Sequence, residues 1–229
     1  MNIDYIVSLL ITAAALILAI TIHESAHAFV AYLLGDKTAR SRGRVSLNPL
    51  NHIDPFGTVI LPLLMLAAGG PVFAFAKPVP VYLNNLKHPK RDEVLVALAG
   101  PASNILLAIA AAALWRLIPA DGGALAPLFA SNFGYIPSEF MLTFLTVNLS
   151  LAFFNLIPLP PLDGSSILVP FLRGRALQTY YEIQRYAMPI LIIVLYLLPT
   201  VLHIDLIDIY FSFTYYPVAN ALLSFALGF

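Results

Sequence analysis

Apolar residues occur in long runs along this chain, and short polar segments separate the runs. A helix that crosses a bilayer needs about 20 mostly apolar residues. Four runs fit this pattern: Ile6–Leu34, Val94–Ile118, Phe140–Ile157 and Met188–Leu202. A fifth run, Leu206–Phe229, is more aromatic and is interrupted by Pro217. The pattern predicts an all-α polytopic membrane protein with about five to six transmembrane helices.

The basic residues predict the orientation of these helices. Eleven of the twelve Lys and Arg residues lie in three loop regions, and Arg116 is the exception. The three groups are Lys37, Arg40, Arg42 and Arg44; Lys77, Lys87, Lys90 and Arg91; and Arg173, Arg175 and Arg185. Because cytoplasmic loops carry an excess of basic residues, these loops are predicted to be cytoplasmic and the N-terminus to be outside.

The stretch Thr58–Ala76 is predicted to be a re-entrant hairpin. Pro62 and the sequence Gly69-Gly70-Pro71 interrupt it, and the loops on both sides are basic. Such a segment enters and leaves by the cytoplasmic face, where protein or a water-filled cavity must cover its irregular backbone. The alternative is a full span, which would invert every later segment.

Composition supports an integral membrane protein in a lipid bilayer. Hydrophobic residues make up 60% of the 229 positions, charged residues make up 10%, and the mean hydropathy is +0.86. Soluble domains carry about 25% charged residues. The net charge of zero argues against a nucleic-acid partner. The chain has no cysteine, which excludes disulfides and thiolate metal ligands.

His23, Glu24 and His27 form an H-E-x-x-H sequence inside the first apolar run. Two histidines four residues apart on a helix lie about 40° apart around its axis, so both imidazoles can reach one ion. The glutamate between them then lies beside water on that ion. This pattern is typical of zinc metallopeptidases.

Asp163 is the candidate for the third metal ligand that a catalytic zinc site requires. It lies in the Asn155–Gly164 segment, which contains Pro158, Pro160 and Pro161 and therefore cannot be continuous helix. An aspartate beside hydrocarbon is costly and usually has a partner or a function. The alternative is an Asx-turn or cap before Gly164.

Depth in the bilayer agrees with this ligand set. At 1.5 Å per residue, His23 lies roughly 18 Å and His27 roughly 12 Å along the helix from Gly35. Asn104 lies roughly 18 Å from Asp92 by the same measure. Asp163 approaches the cytoplasmic end from the outer face, so all these polar residues converge in the cytoplasmic half. The convergence requires Thr58–Ala76 to be re-entrant.

Three sequences resemble the motifs of the site-2 proteases, namely HExxH, GPxxN and NxxPxPxLDG. They are His23-Glu24-Ser25-Ala26-His27, Gly100-Pro101-Ala102-Ser103-Asn104 and the segment Asn155–Gly164. The resemblance covers roughly Ile6–Ser166 and includes no PDZ or CBS domain, so it implies a minimal, core-only member. Residues 1–166 are then the intramembrane metalloprotease core. Residues 167–229 are a cytoplasmic connector plus two C-terminal transmembrane helices.

The resemblance also implies a function and residue roles. It implies an intramembrane endopeptidase of a prokaryotic cell membrane that cuts in or near transmembrane segments of protein substrates, in regulated intramembrane proteolysis. One Zn²⁺ is held by His23, His27 and Asp163, and Glu24 is the general base. Asn104 is the candidate donor to the oxyanion, or else an interhelical hydrogen-bonding residue. Asn155 is the candidate for binding the unwound substrate backbone. The oligomeric state stays open.

Two segments, Gly43–Leu47 and Lys77–Tyr82, are predicted to form a small β element near the active site. Pro78 and Pro80 place both missing N–H groups on one side of a strand, which leaves a one-sided edge for an extended substrate. The alternative is a simple proline-rich connector.

Two other classes of function compete with the protease. A metal-ion transporter needs polar ligands along a whole pathway, and the outer halves of the spans hold almost none. A catalytically silent membrane scaffold would not need the intact Glu24.

Overall fold

The computed structural model describes residues 3–60, 64, 76–117 and 135–228, which are largely helical and contain no strand. The main helices are α1 (Ile3–Leu34), α2 (Pro89–Arg116), α3 (Tyr135–Asn155), α4 (Arg175–Leu202), α5 (Leu206–Phe213) and α6 (Tyr215–Leu227). Shorter helical segments are Thr38–Ser41, Pro49–Asn51, Pro55–Ile60, Leu83–Asn85 and Asp163–Phe171. Within α4, Gln184–Tyr186 is 3₁₀-helical and Ile193–Leu202 is π-helical.

Four of the described helices, α1 to α4, are long and apolar enough to cross a membrane. They match the four clear apolar runs, so this part of the prediction is confirmed. Helix α4 begins at Arg175, well before the predicted start at Met188. Its first turns are polar, which hid them from the hydrophobic pattern, but between Gly174 and Pro189 the sequence has no glycine or proline to end the helix.

The fifth apolar run forms two helices rather than one. The break falls at Thr214, between α5 and α6, and not at Pro217 as the sequence suggested. Pro217 lies in the first turn of α6, where the backbone N–H has no partner within the helix, so a proline there costs little.

Helix α2 lies at the centre of the packing, against α1, α3 and α6. Small side chains of α2 allow the close approach, as is common between membrane helices. The buried cluster consists of Ala108, Ala111, Ala112, Leu145, Leu149, Ala219 and Ala226. This packing brings α1, α2 and α3, which carry the polar residues described below, into one bundle.

The predicted re-entrant hairpin, Thr58–Ala76, lies for the most part outside the described residues. Its first residues belong to the π-helical segment Pro55–Ile60, and Asp54 accepts a hydrogen bond of 2.7 Å from the Gly57 N–H.

The predicted small β element is not confirmed, because Gly43–Leu47 and Lys77–Tyr82 form no strand in the structure. Pro78 and Pro80 lack the N–H groups that a regular ladder needs. A side chain joins the two segments instead, since Arg44 Nη2 donates a hydrogen bond to the Lys77 carbonyl.

Asp36 joins the chain that follows α1 to the segment around Tyr82 and Asn85. Helix α1 ends at Leu34, and Gly35 has a φ of +119°, which favours glycine. The buried Asp36 carboxylate accepts hydrogen bonds from Thr38, from the Tyr82 N–H at 2.7 Å and from Asn85 Nδ2 at 2.9 Å. Burial alone would raise the pKa of Asp36, but these hydrogen bonds outweigh it and lower the pKa.

Candidate active site

Helix α1 carries His23 and His27, and both side chains are buried. The Nε2 atoms of the two imidazoles lie 3.2 Å and 3.4 Å from Oδ2 of Asp163, which begins the helical segment Asp163–Phe171. All three potential ligand atoms lie within 4.8 Å of one another. The structure therefore brings the three predicted ligands together from distant parts of the chain.

The other ring nitrogen of each histidine is held by an oxygen. His23 Nδ1 lies 2.6 Å from Asn104 Oδ1, and His27 Nδ1 lies 2.7 Å from the carbonyl oxygen of Val96. Because both partners are acceptors, each Nδ1 carries a proton that it donates. The Nε2 atom of each ring then faces Asp163 and is the atom that could bind a metal, an arrangement in which the other ring nitrogen is held by an oxygen.

The arrangement of these atoms fits a bound cation. Asp163 Oδ2 is buried and receives no hydrogen bond from the described residues, although two imidazole nitrogens lie beside it. A buried carboxylate oxygen needs a positive partner, and a cation between it and the two imidazole nitrogens would supply one. Two imidazoles and one carboxylate are a ligand set that suits Zn²⁺ and leaves a coordination position open.

Gly100 lets α2 approach the two histidines of α1 closely. A Cβ at this position would lie 2.6 Å from the Cε1 and Nε2 atoms of His23, and closer still to His27 Nε2. Gly100, the first residue of the GPxxN sequence, thus lies directly against the two imidazoles.

Gly164 has a comparable part in placing Asp163. A Cβ there would lie 2.7 Å from the carbonyl oxygen of Ile157 and would collide with the carbonyl of Leu156. The chain therefore folds back on itself tightly between Asn155 and Gly164, which directs the Asp163 carboxylate towards the two histidines.

Glu24 faces a cavity of about 1280 Å³ that also exposes His23, His27 and Asp163. The cavity is larger than the pockets of roughly 300–1,000 Å³ that hold drug-sized ligands. Its other walls are mostly apolar and come from α3 to α6, including Leu151, Leu191, Leu195, Phe211 and Tyr215. Such a cavity has room for a peptide segment beside the three ligands.

Two more predicted features line the same cavity. Pro78, Val79 and Val81 of the Lys77–Tyr82 segment form part of its wall, although they form no strand. Asn155 lines it as well, and its Nδ2 donates a hydrogen bond of 2.9 Å to the Leu151 carbonyl.

Asn104 lies behind His23. Its Nδ2 donates to the Ala19 carbonyl at 3.2 Å and to Asn148 Oδ1 at 2.7 Å, while its Oδ1 accepts from His23. Asn104 is fully buried, and its hydrogen bonds join α1, α2 and α3. This placement agrees with the interhelical alternative.

Asn148 is a site residue that the sequence analysis missed. It is fully buried in α3, and its own Nδ2 donates to the Phe144 carbonyl at 2.8 Å. The signal was an amide inside an apolar run, where polar side chains usually have a specific partner.

Comparisons with known proteins agree with this site. The family model described as peptidase family M50 matches residues 11–133 and 123–198. The chain is 44% identical over 153 residues to the candidate zinc metalloprotease YwhC of Bacillus subtilis. This alignment covers 67% of the chain and 65% of YwhC. It is 30% identical over 192 residues to the candidate zinc metalloprotease Rip2 of Mycolicibacterium smegmatis, and this alignment covers 84% of the chain and 69% of that Rip2. For Rip2 of Mycobacterium tuberculosis the identity is 31% over 187 residues, with 82% and 66% covered.

The chain therefore spans about two thirds of the length of these relatives. No solved structure matches it significantly. The matched residues include the two histidines of α1 and Asp163, and they extend well beyond half of the chain. The chain belongs to peptidase family M50, the site-2 protease family.

Proposed function

We propose that this protein is an intramembrane zinc endopeptidase that hydrolyses peptide bonds in or near transmembrane segments of membrane proteins. One observation carries the proposal: His23, His27 and Asp163 converge beside Glu24 on the wall of a large cavity between apolar helices. The relatives named as candidate zinc metalloproteases support the same reaction class.

In this proposal His23, His27 and Asp163 hold one Zn²⁺ through the atoms that face one another in the structure. A zinc ion in such a site polarises the scissile carbonyl and lowers the pKa of water to about 7. Glu24 takes the proton from the attacking water and returns it to the leaving amine. Asn104 acts through His23 by fixing the ring tautomer, rather than by touching the oxyanion.

The cavity provides a place for an unwound substrate. Val79 and Val81 retain backbone N–H groups, whereas Pro78 and Pro80 have none, so an extended peptide can pair on one side of this segment. Asn155, which lines the cavity, is proposed to hydrogen-bond the substrate backbone. The apolar walls from α3 to α6 suit the side chains of a transmembrane segment.

The proposal retains the membrane arrangement expected from the sequence. The basic loops lie in the cytoplasm, the N-terminus lies outside, and the site opens towards the cytoplasmic half of a prokaryotic cell membrane. The bacterial sources of the relatives support this location.

The test compares the purified full chain with its Glu24→Gln variant, both in liposomes with a test transmembrane substrate. We expect the variant to lose at least about 100-fold in cleavage rate and to retain its zinc, because only the proton transfer is removed. A chelator should stop the wild type, and added Zn²⁺ should restore it. Equal cleavage by both proteins would refute the proposal, and zinc transport that survives in the variant would favour a transporter.

A further inference from the structure

Arg44 is a buried charged residue outside the proposed ligand set. The sequence pattern places it in a basic loop, yet its side chain is only 4% exposed. Its neighbour Arg42 in the same loop is exposed. Arginine is almost never buried unless it is paired, so the burial of Arg44 calls for a reason.

The partners of Arg44 belong to the site. Its Nη2 atom donates to the Lys77 carbonyl and lies 3.7 Å from Oε2 of Glu24. Glu24 is the only acidic residue that forms an ion pair with Arg44 in the described part of the chain. The guanidinium thus touches both the carboxylate beside the proposed metal ligands and the backbone of the segment that lines the cavity.

The surrounding loop holds Arg44 in place. His52 is buried, its Nε2 lies 2.8 Å from the Ser46 carbonyl, and its own carbonyl accepts from the Lys77 N–H at 2.9 Å. His52 thus connects the Arg44 loop to Lys77. Arg44 and His52 therefore both bind the backbone of Lys77, Arg44 at its carbonyl and His52 at its N–H.

Hydrogen bonds alone do not explain why the Arg44 guanidinium is buried, because only some of its donors have a partner. The Nε and Nη1 atoms of Arg44 are buried and have no hydrogen-bond partner in the described part of the chain. Burial lowers the pKa of the Arg44 guanidinium, and Glu24 counteracts part of this effect. Because arginine starts from so high a pKa, it remains charged at neutral pH.

We infer that Arg44 is a positioning residue for the reaction: it holds the Glu24 carboxylate in register with a substrate lying along Pro78, Val79 and Val81. The inference rests on the proposed function. Glutamate has a long side chain, and a general base must keep one oxygen directed at the reacting water. Arg44 attracts Oε2 from the side of the segment that lines the cavity, so one cation contacts both the proposed base and the Lys77 carbonyl.

The test uses the full chain in liposomes, with Arg44→Gln, Arg44→Lys and the matched control Arg42→Gln. We expect Arg44→Gln to lower kcat by about 10- to 100-fold, because small misplacements of a catalytic group cost about that much. KM and zinc content should stay close to the wild-type values. Arg44→Lys should recover part of kcat because it retains the charge, and Arg42→Gln should behave like the wild type.

A double-mutant cycle separates positioning from general loss of structure. Glu24→Asp retains the carboxylate but withdraws it from Arg44, so Arg44→Gln should cost less in this background than in the wild type. Equal costs in both backgrounds, an unchanged kcat, or loss of zinc from Arg44→Gln would overturn the inference. If the wild type cleaves and Glu24→Gln does not, any of these three results refutes only the role of Arg44 and leaves the proposed function intact. If the wild type fails to cleave, the proposed function itself fails.

Discussion

His23 and Asn104 are joined by a hydrogen bond of 2.6 Å in which the imidazole Nδ1 donates and the amide oxygen accepts. The direction is fixed because the amide nitrogen of Asn104 already donates to Ala19 and Asn148. The bond selects the imidazole tautomer whose Nε2 lone pair faces Asp163. An asparagine deep in α2 thereby orients the ring of the histidine in α1 that we propose as a zinc ligand.

The first prediction concerns Asn104→Ala. Without the acceptor, the His23 ring can rotate or protonate at its other nitrogen, so zinc affinity should fall by about 10- to 100-fold. Competition with a chromogenic chelator measures this affinity directly. Ser103→Ala is the matched control, because the Ser103 hydroxyl donates within α2, to the Gly100 carbonyl at 2.7 Å. If the two variants bind zinc equally well, the orienting role of Asn104 is wrong.

The second prediction concerns Asn148→Leu, a change of similar size that removes one acceptor from Asn104. The Ala19 carbonyl still holds the Asn104 amide nitrogen, so the loss of zinc affinity should be smaller than for Asn104→Ala. Because both residues act through His23, the double variant should bind zinc no more weakly than Asn104→Ala alone. Additive losses would show that Asn148 acts by another route.

The sequence predicted the features that depend on local pattern. The four clear apolar runs became four long helices, since hydrophobicity over about 20 residues is a local property. The positions of His23, His27 and Asp163 were also predictable. The H-E-x-x-H motif places the two histidines on one face of a helix, and Asp163 follows a segment rich in proline.

The sequence was less informative where an outcome depends on a partner from another element. The direction of the Asn104 hydrogen bond depends on Asn148 in α3, and no spacing within α2 reveals that. The sequence analysis grouped Arg44 with the other basic loop residues, because burial in a loop has no periodic signature. The two segments expected to form a β element meet through the Arg44 side chain instead of through a backbone ladder.

The third prediction concerns Gly100→Ala, which adds one methyl group beside the proposed ligands. The new Cβ would lie 2.6 Å from His23 and closer to His27, and the backbone of α2 is packed too tightly to retreat easily. The imidazoles must move, so zinc affinity should fall by at least about 100-fold, beyond the usual effect of an outer-shell change. Metal analysis of the purified protein measures the loss.

The control for this change is Ala102→Val, which adds volume two residues away on an exposed part of α2. It should retain its zinc. A Gly100→Ala protein that binds zinc as tightly as this control would mean that the close approach of α2 to the two rings is not required.

The last prediction concerns Asp36→Asn and its dependence on pH. The replaced oxygen accepts from the Tyr82 N–H, and an amide nitrogen there would set two donors against each other. Charged hydrogen bonds contribute about 1.5–3 kcal/mol each, so the variant should unfold at a lower temperature at pH 7.

Because the folded pKa of Asp36 is lowered, its stabilisation is fully present above the unfolded pKa of about 3.9 and is lost as the pH falls through the folded value. The difference in melting temperature between the wild type and Asp36→Asn should therefore become smaller below about pH 4. The control is Glu182→Gln, a change at an exposed position, which should melt like the wild type. A gap of constant size from pH 7 to pH 3 would mean that Asp36 stabilises the end of α1 without its charge.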